Sequence, residues 1–335
     1  MKTGGKFTVI AVMVLILLLL TSSLYAAEYT IRVANNVAAD HPWGKGMEKF
    51  KEYLETASNG RIAVEVYHAG ALGKTRECLE MVKMGTLEVA LCGTGYLQSY
   101  TPEIGVTLLP YLWKDRKTMF EILDGPLGQY LNERLANEGF HLLGYLDNGF
   151  RHVTTRRNPV RSVEDLKGVK IRTLPTPVHI AFFKALGAAP TPIDWVELYD
   201  ALRTGVVDAQ ENPPAMVYTA RFYEVQKYYS LTGHVNEPGT FVMSKIIYDR
   251  LPKDLQLAVD AAAQKATLCE REECYRDNQK LLKELEKKGM TVIKVPQETI
   301  EEFRRIATEK IYPQFSDKFG PMSKKLVDLF VWANK

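Results

Sequence analysis

The chain has 335 residues, 46% hydrophobic and 25% charged, with 16 prolines and 23 glycines. That balance excludes a disordered tail, a collagen-like repeat and a disulfide-stapled miniprotein, and the length allows about two domains of roughly 150 residues. With 43 Lys+Arg against 40 Asp+Glu, the net charge of +3 comes without any basic stretch, so nucleic acid is not expected as a partner.

Lys2 and Lys6 precede an apolar run from Val9 to Leu20, then polar Thr21-Ser22-Ser23 and the small residues Ala26-Ala27. A positive start, a short apolar centre and a small-residue exit make a secretory signal peptide over residues 1–26. The run spans about 12 residues, short of the ~20 that cross a bilayer. Cleavage is expected near Ala26, although Leu24 or Tyr25 at the third residue before the cut is a poor match. No cysteine follows the run, so a lipid anchor is not indicated. The product reads as exported and soluble.

Beyond it, Tyr29 to Val33 alternates as a strand. His41-Pro42 opens a helix with Trp43, Met47, Phe50, Leu54 and Ala57 on one face, ended by Asn59-Gly60. Ile62, Val64 and Val66 make a second strand, residues 76–84 a helix, and residues 87–91 a third strand. This is the grammar of an α/β sheet. A strand at 141–146 precedes Gly149, and the grammar restarts after it, with strands at 152–155 and 169–172 and helices at 177–186 and 196–204. Residues 81–88 and 201–208 echo each other in register: helix end, basic residue, glycine, aliphatic, acid. That weak echo fits two similarly built lobes. From 251 to 288 the chain holds helix formers without internal glycine or proline, and Gly289 follows as a cap. Such a helix would run ~55 Å, longer than one lobe is wide. The apolar tail at 326–332 is expected to pack on the body, or otherwise to mark a partner surface.

The cysteines are Cys78, Cys92, Cys269 and Cys274. Five apart on one helix, Cys269 and Cys274 point about 140° away from each other and should not pair. Cys78 and Cys92 are open to pairing, and buried free thiols are the ordinary expectation. Gly73-Lys74-Thr75 imitates the end of a phosphate-binding loop, but the required earlier glycine is His68. Gly93-Thr94-Gly95 starts like a dinucleotide fingerprint, but its third glycine is Gln98. The six histidines never fall four apart or beside a cysteine pair, so no metal and no cofactor are expected.

What survives is a set of polar residues at strand ends. Arg172 closes a strand and Thr173-Leu174-Pro175-Thr176-Pro177 follows, so the arginine opens onto a loop where α/β sheets bind ligands. Its planar fork suits a carboxylate. Arg151 ends Asn148-Gly149-Phe150-Arg151, Asn212 ends Asp208-Ala209-Gln210-Glu211-Asn212 before Pro213-Pro214, and Trp195 stands at the mouth of a helix. Each alone has an ordinary structural explanation: a solvated arginine, a turn residue, a core aromatic.

Together these segments, with "HPWGKGMEKFKEYLE", "YHAGALGKTRE", "DLKGVKIRT", "DAQENP" and "LPKDLQLAVDAAA", resemble the solute-binding proteins of tripartite ATP-independent periplasmic (TRAP) transporters, the DctP family. The resemblance covers the mature chain in order. It implies an α/β, two-lobed periplasmic-binding-protein-like fold closing over one central cleft, with a long helix spanning both lobes. The implied division is residues 1–26 removed, a first lobe of 27–150 with 237–277, and a second of 151–236 with 278–335. The family's carboxylate-binding arginine falls on Arg172, and its second arginine on Arg151. The amide falls on Asn212, where Ala209 replaces a family glycine, and the lining aromatic falls on Trp195. Asn36 and Arg76 match first-lobe pocket positions. Thr75 and Gly93 stand where sialic-acid binders carry carboxylates, which disfavours sialate. Arg76, with His41 near it in sequence, would suit a second anion or hydroxyls, so C4-dicarboxylates and sugar acids such as uronates both fit.

The expected partners are an organic acid and a membrane permease of small and large subunits driven by an ion gradient. Binding rather than catalysis is implied. The rivals are a ligand-binding protein feeding a sensor kinase and an exported hydrolase. A monomer is expected, with a dimer through the C-terminal helix as the alternative.

Overall fold

The computed structural model describes residues 27–333, so the expected signal peptide and its cleavage point at Ala26 lie outside the described residues. The first strands obey their alternation. In β1 (Tyr29–Ala34) Ile31 and Val33 point inward, and in β2 (Ile62–Tyr67) Ile62 and Val64 do. The helix between them, α1 (Pro42–Ala57), starts with proline at its first turn, and the His41 ring accepts from the Trp43 N–H at 3.1 Å. Its Met47, Phe50 and Leu54 are fully buried on the sheet. Then come α2 (Thr75–Met84), β3 (Val89–Gly93), α3 (Pro126–Asn137) and β4 (Phe140–Leu146).

The chain continues through β5 (Phe150–Thr155), β6 (Lys170–Thr173), α4 (Pro177–Ala185), β7 (Ala189–Pro192), α5 (Trp195–Thr204), β8 (Ala209–Asn212), α6 (Pro214–Thr219), β9 (Tyr228–Asn236) and β10 (Gly239–Ser244). It ends with α7 (Lys253–Lys287), β11 (Thr291–Ile293), α8 (Gln297–Ile306) and α9 (Gly320–Ala333). The strands form two sheets, ordered β2-β1-β3-β10-β4 and β11-β9-β5-β8-β6-β7. The architecture is therefore α/β with two lobes, one around each sheet. The sequence echo has a physical basis. Both α2 and α5 end on a left-handed glycine, Gly85 at φ 74° and Gly205 at φ 77°, before a strand of their own lobe.

Two short segments cross between lobes. Asp147-Asn148-Gly149 carries β4 into β5, and Glu237-Pro238 carries β9 into β10, which enters the first sheet antiparallel to both neighbours. The third connection is α7, 35 residues long and about 52 Å at 1.5 Å per residue. It packs on α1 and β4 of the first lobe and on α6 of the second. Polar pegs fix it to the crossing: Arg271 Nε donates to the Tyr145 carbonyl at 2.9 Å, and Asn278 Nδ2 donates to the Asn148 carbonyl at 3.1 Å.

Beyond α7, β11 pairs with β9 and α8 contacts it, both in the second lobe. The last residues depart from the expected division, which put all of 278–335 there. Phe319 packs against Gly105, so closely that a Cβ on that glycine would lie 2.6 Å from its ring, and α9 rests on residues 102–108 and α3. The apolar side chains Phe319 and Val327 join a buried cluster that includes Leu108, Leu131 and Leu135 of the first lobe. All four cysteines are free, and Cys269 is exposed rather than buried. Among the described residues no helix is long and apolar enough to cross a membrane.

Candidate functional site

Between the lobes lies a cavity lined by residues of both. The lobes touch at its rim. A Cβ on Gly95 would sit 2.7 Å from the Thr176 methyl across the cleft. Lys74 Nζ meets Glu197 Oε1 at 2.6 Å, again from lobe to lobe. This is a closed arrangement.

Arg172 is the focus. It sits near the carboxyl end of β6, 1% exposed, with Nε donating to the Ile193 carbonyl at 2.8 Å. That bond fixes the guanidinium plane. Nη1 and Nη2, both buried, have no hydrogen-bond partner. Burial, above all, depresses its pKa below the ordinary arginine value, and the nearby Arg151 charge adds to this. Because Nε is engaged, the fork offers its end, two parallel N–H donors, to an incoming anion.

Arg151, on β5, is also buried and lines the cavity, but four of its five N–H donors are occupied. Nε and Nη2 reach Glu211 Oε2 and Oε1 at 2.5 and 2.6 Å, Nη2 also reaches the Glu211 carbonyl at 2.7 Å, and Nη1 reaches Glu237 Oε2 at 3.0 Å. Burial pushes the Glu211 carboxyl up, yet the Arg151 charge and the bonds from Arg151 and His234 outweigh it and hold it below the usual range. Glu237 moves the other way. Burial raises it, against the pull of Arg151 and the Gly95 N–H, which donates to its Oε1 at 3.0 Å. One carboxylate on the crossing strand thus holds both lobes.

Asn212 and Trp195 line the cavity as well. The Asn212 amide donates to Gln210 Oε1 at 2.6 Å, and Trp195, half-buried, leans on Phe222 with centroids 5.4 Å apart. Asn36 lines the first-lobe wall. With its amide turned to satisfy both ends, it donates to the Gly73 carbonyl at 3.1 Å and accepts from the Thr75 N–H at 2.8 Å. Arg76 is exposed at the rim, approaches the Pro175 carbonyl at 3.5 Å, and is absent from the cavity wall. His41 is buried as a helix cap, and burial pushes its ring down to about 3.

The cavity includes residues that sequence reasoning did not single out: Trp43, Tyr96, Asn148, Met216, Glu237 and an aliphatic set. Asn148 was in view as part of the Asn-Gly-x-Arg segment. Glu237 had no local signal, since its partners lie 86 and 142 residues away. Gly93 does carry one in retrospect. A Cβ there would lie within contact distance of Glu237, so glycine makes room for that carboxylate. Cys92 is the thiol on the wall, and burial pushes it up to about 12, which leaves it unreactive. Among the described residues, no group of three or more His, Cys, Asp or Glu is placed to hold a metal. The arrangement can desolvate and grip an anion.

Residues 33–318 match the family described as "Bacterial extracellular solute-binding protein, family 7", DctP. A solute-binding protein of Verminephrobacter eiseniae is 38% identical over 297 residues, 88% of this chain and 87% of that protein. A TRAP periplasmic solute-binding protein of Sulfurospirillum deleyianum, with bound succinate, superposes with a TM-score of 0.86 at 31% identity, over 91% of this chain and 99% of that one. One from a Polaromonas species, bound to D-erythronate, gives 0.86 at 31% identity over 90% and 98%.

Proposed function

Because the chain belongs to family 7 of the bacterial extracellular solute-binding proteins, the DctP family of TRAP transporters, we propose that it captures an organic acid outside the cytoplasm by its carboxylate and hands it to an ion-gradient-driven membrane permease. The observation that carries this is the Arg172 fork, buried in the cleft with two N–H groups unpartnered. A carboxylate placed there accepts both bonds end-on. Arg151 stands behind it, tied to Glu211 and Glu237, and supplies field and rigidity more than free donors. Asn212 and Trp195 from the second lobe, and Asn36 from the first, shape the remaining walls. Arg76 acts at the rim. The acid is of the C4-dicarboxylate or sugar-acid kind, and residues 1–26 are removed near Ala26 on export to the periplasm.

Mechanistically, the acid enters the open cleft, meets Arg172, and the lobes close about their crossing strands. Closure strips water from the ion pair, which strengthens it and penalises any ligand that leaves the fork unpaired. A neutral isostere is therefore rejected. Binding rather than turnover is what membership of a solute-binding family supports.

The test is a thermal-shift screen of the mature protein against organic acids and neutral sugars. A ligand at ~100 times Kd adds about 2.7 kcal/mol of stability, several degrees in the midpoint. One acid class should shift wild type and fail with Arg172→Ala, which loses about 3–5 kcal/mol of binding. An undiminished shift in that variant would remove Arg172 from the site.

A further inference from the structure

The cavity wall also records what the rest of the ligand looks like. Its cationic residues are Arg151 and Arg172, and Arg151 spends four of its five N–H groups on Glu211 and Glu237, its charge being offset by those two carboxyls. One arginine fork is left over. The two other basic side chains close by are spent or misplaced for a second anion: Lys74 pairs with Glu197 at 2.6 Å, and Arg76 lies outside the wall. The remaining lining includes Val37, Trp43, Leu91, Leu174 and Met216, which offer no charge. Glu237 offers no donor to an anion either, since its oxygens already accept from Gly95 and Arg151.

Two further polar atoms on the wall are buried and unpartnered. Asn148 Oδ1 is an acceptor without a donor. The Tyr96 hydroxyl faces Thr75 without completing a hydrogen bond, and burial raises its pKa while the nearby Arg172 charge opposes that rise. An acceptor such as Asn148 Oδ1 asks for an O–H or N–H on the ligand, and a hydroxyl group supplies one.

We infer that the ligand is a hydroxylated monocarboxylate: one carboxylate on Arg172, a hydroxyl served by Asn148 and Tyr96, and a body resting on the apolar wall. This rests on the carboxylate-binding reading above and narrows it to the sugar-acid arm, excluding C4-dicarboxylates. A second carboxylate in this cavity would surrender its hydration with no cation to replace it. A hydroxyl loses less water and gains Asn148.

Three four-carbon acids separate these cases at constant length: D-erythronate, succinate and butyrate. Titration calorimetry on protein unfolded and refolded to free it of carried ligand is expected to show D-erythronate binding, with succinate and butyrate weaker by roughly tenfold or more. Tyr96→Phe and Asn148→Leu, each confirmed folded by its thermal midpoint, should bring D-erythronate and butyrate closer together. Succinate binding as tightly as D-erythronate overturns this inference and leaves the carboxylate site standing. An unchanged ratio of D-erythronate to butyrate in both variants overturns the hydroxyl assignment. Silence toward all three, and toward the wider acid screen, overturns the reading beneath it.

Discussion

Glu270 shows what a single buried carboxyl does to this protein. It is 1% exposed on α7, its Oε2 accepts from the Asp147 N–H at 2.9 Å, and its Oε1 has no partner. Burial, reinforced by the Asp147 charge, lifts its pKa well above the ordinary value, against Arg271 and Arg116. A folded-state pKa above the unfolded one means that folding takes up a proton. The contribution is present at low pH and is lost as pH rises from the ordinary carboxylate range through the raised value. Glu270→Gln keeps the acceptor for Asp147 and removes the charge. It is expected to stabilise the protein by about 1–3 kcal/mol at pH 8 and to flatten the pH dependence, with wild type and variant converging near pH 4 in denaturant titrations. Single residues were unequally legible. The place of Arg172 near a strand end could be read because Thr173-Leu174-Pro175 closes that strand. The competition for Arg151 could not, because Glu237 arrives from another crossing strand 86 residues away.

At the scale of elements, the contact between α7 and β4 is made without spare volume. A Cβ on Gly144 would lie 2.6 Å from Thr267 Oγ1, so the glycine is what lets the helix sit down on the strand. Gly144→Ala should cost about 1–3 kcal/mol of stability by denaturant unfolding. Thr267→Ala in the same chain should restore much of it, a coupling that independent sites would not show. Helices were readable because apolar spacing and end signals are local: residues 251–288 were expected and Lys253–Lys287 is observed. Strands β9 and β10 were not. All six residues of β10 are buried between β3 and β4, so the alternation that marks a half-exposed strand is missing. The insertion of β10 antiparallel between them is set by pairing with distant chain, which no window of sequence contains.

At the scale of the molecule, closure depends on how near the lobes can come. Gly95 and Thr176 meet where even a methyl group would intrude. Gly95→Ala is expected to hold the cleft ajar. An acid that shifts wild type should bind roughly tenfold weaker or worse, and small-angle scattering at saturating acid should keep the larger radius of the open form. A radius that contracts as in wild type would count against the contact as the stop for closure. The two-lobed plan was legible from repeated α/β grammar and one long helix. The return of α9 to the first lobe was not, since an apolar tail states that it will be buried and not where. The placement of two tryptophans has an optical consequence. Trp43 lines the cavity from the first lobe, deeply buried with its Nε1–H on the Asp147 carbonyl, whereas Trp195 lines it from the second and remains half-buried at a helix mouth. An indole that exchanges water for ligand changes its emission more than one already sealed from water, so Trp195 is expected to make the unlabelled protein its own fluorescent gauge of an occupied cleft.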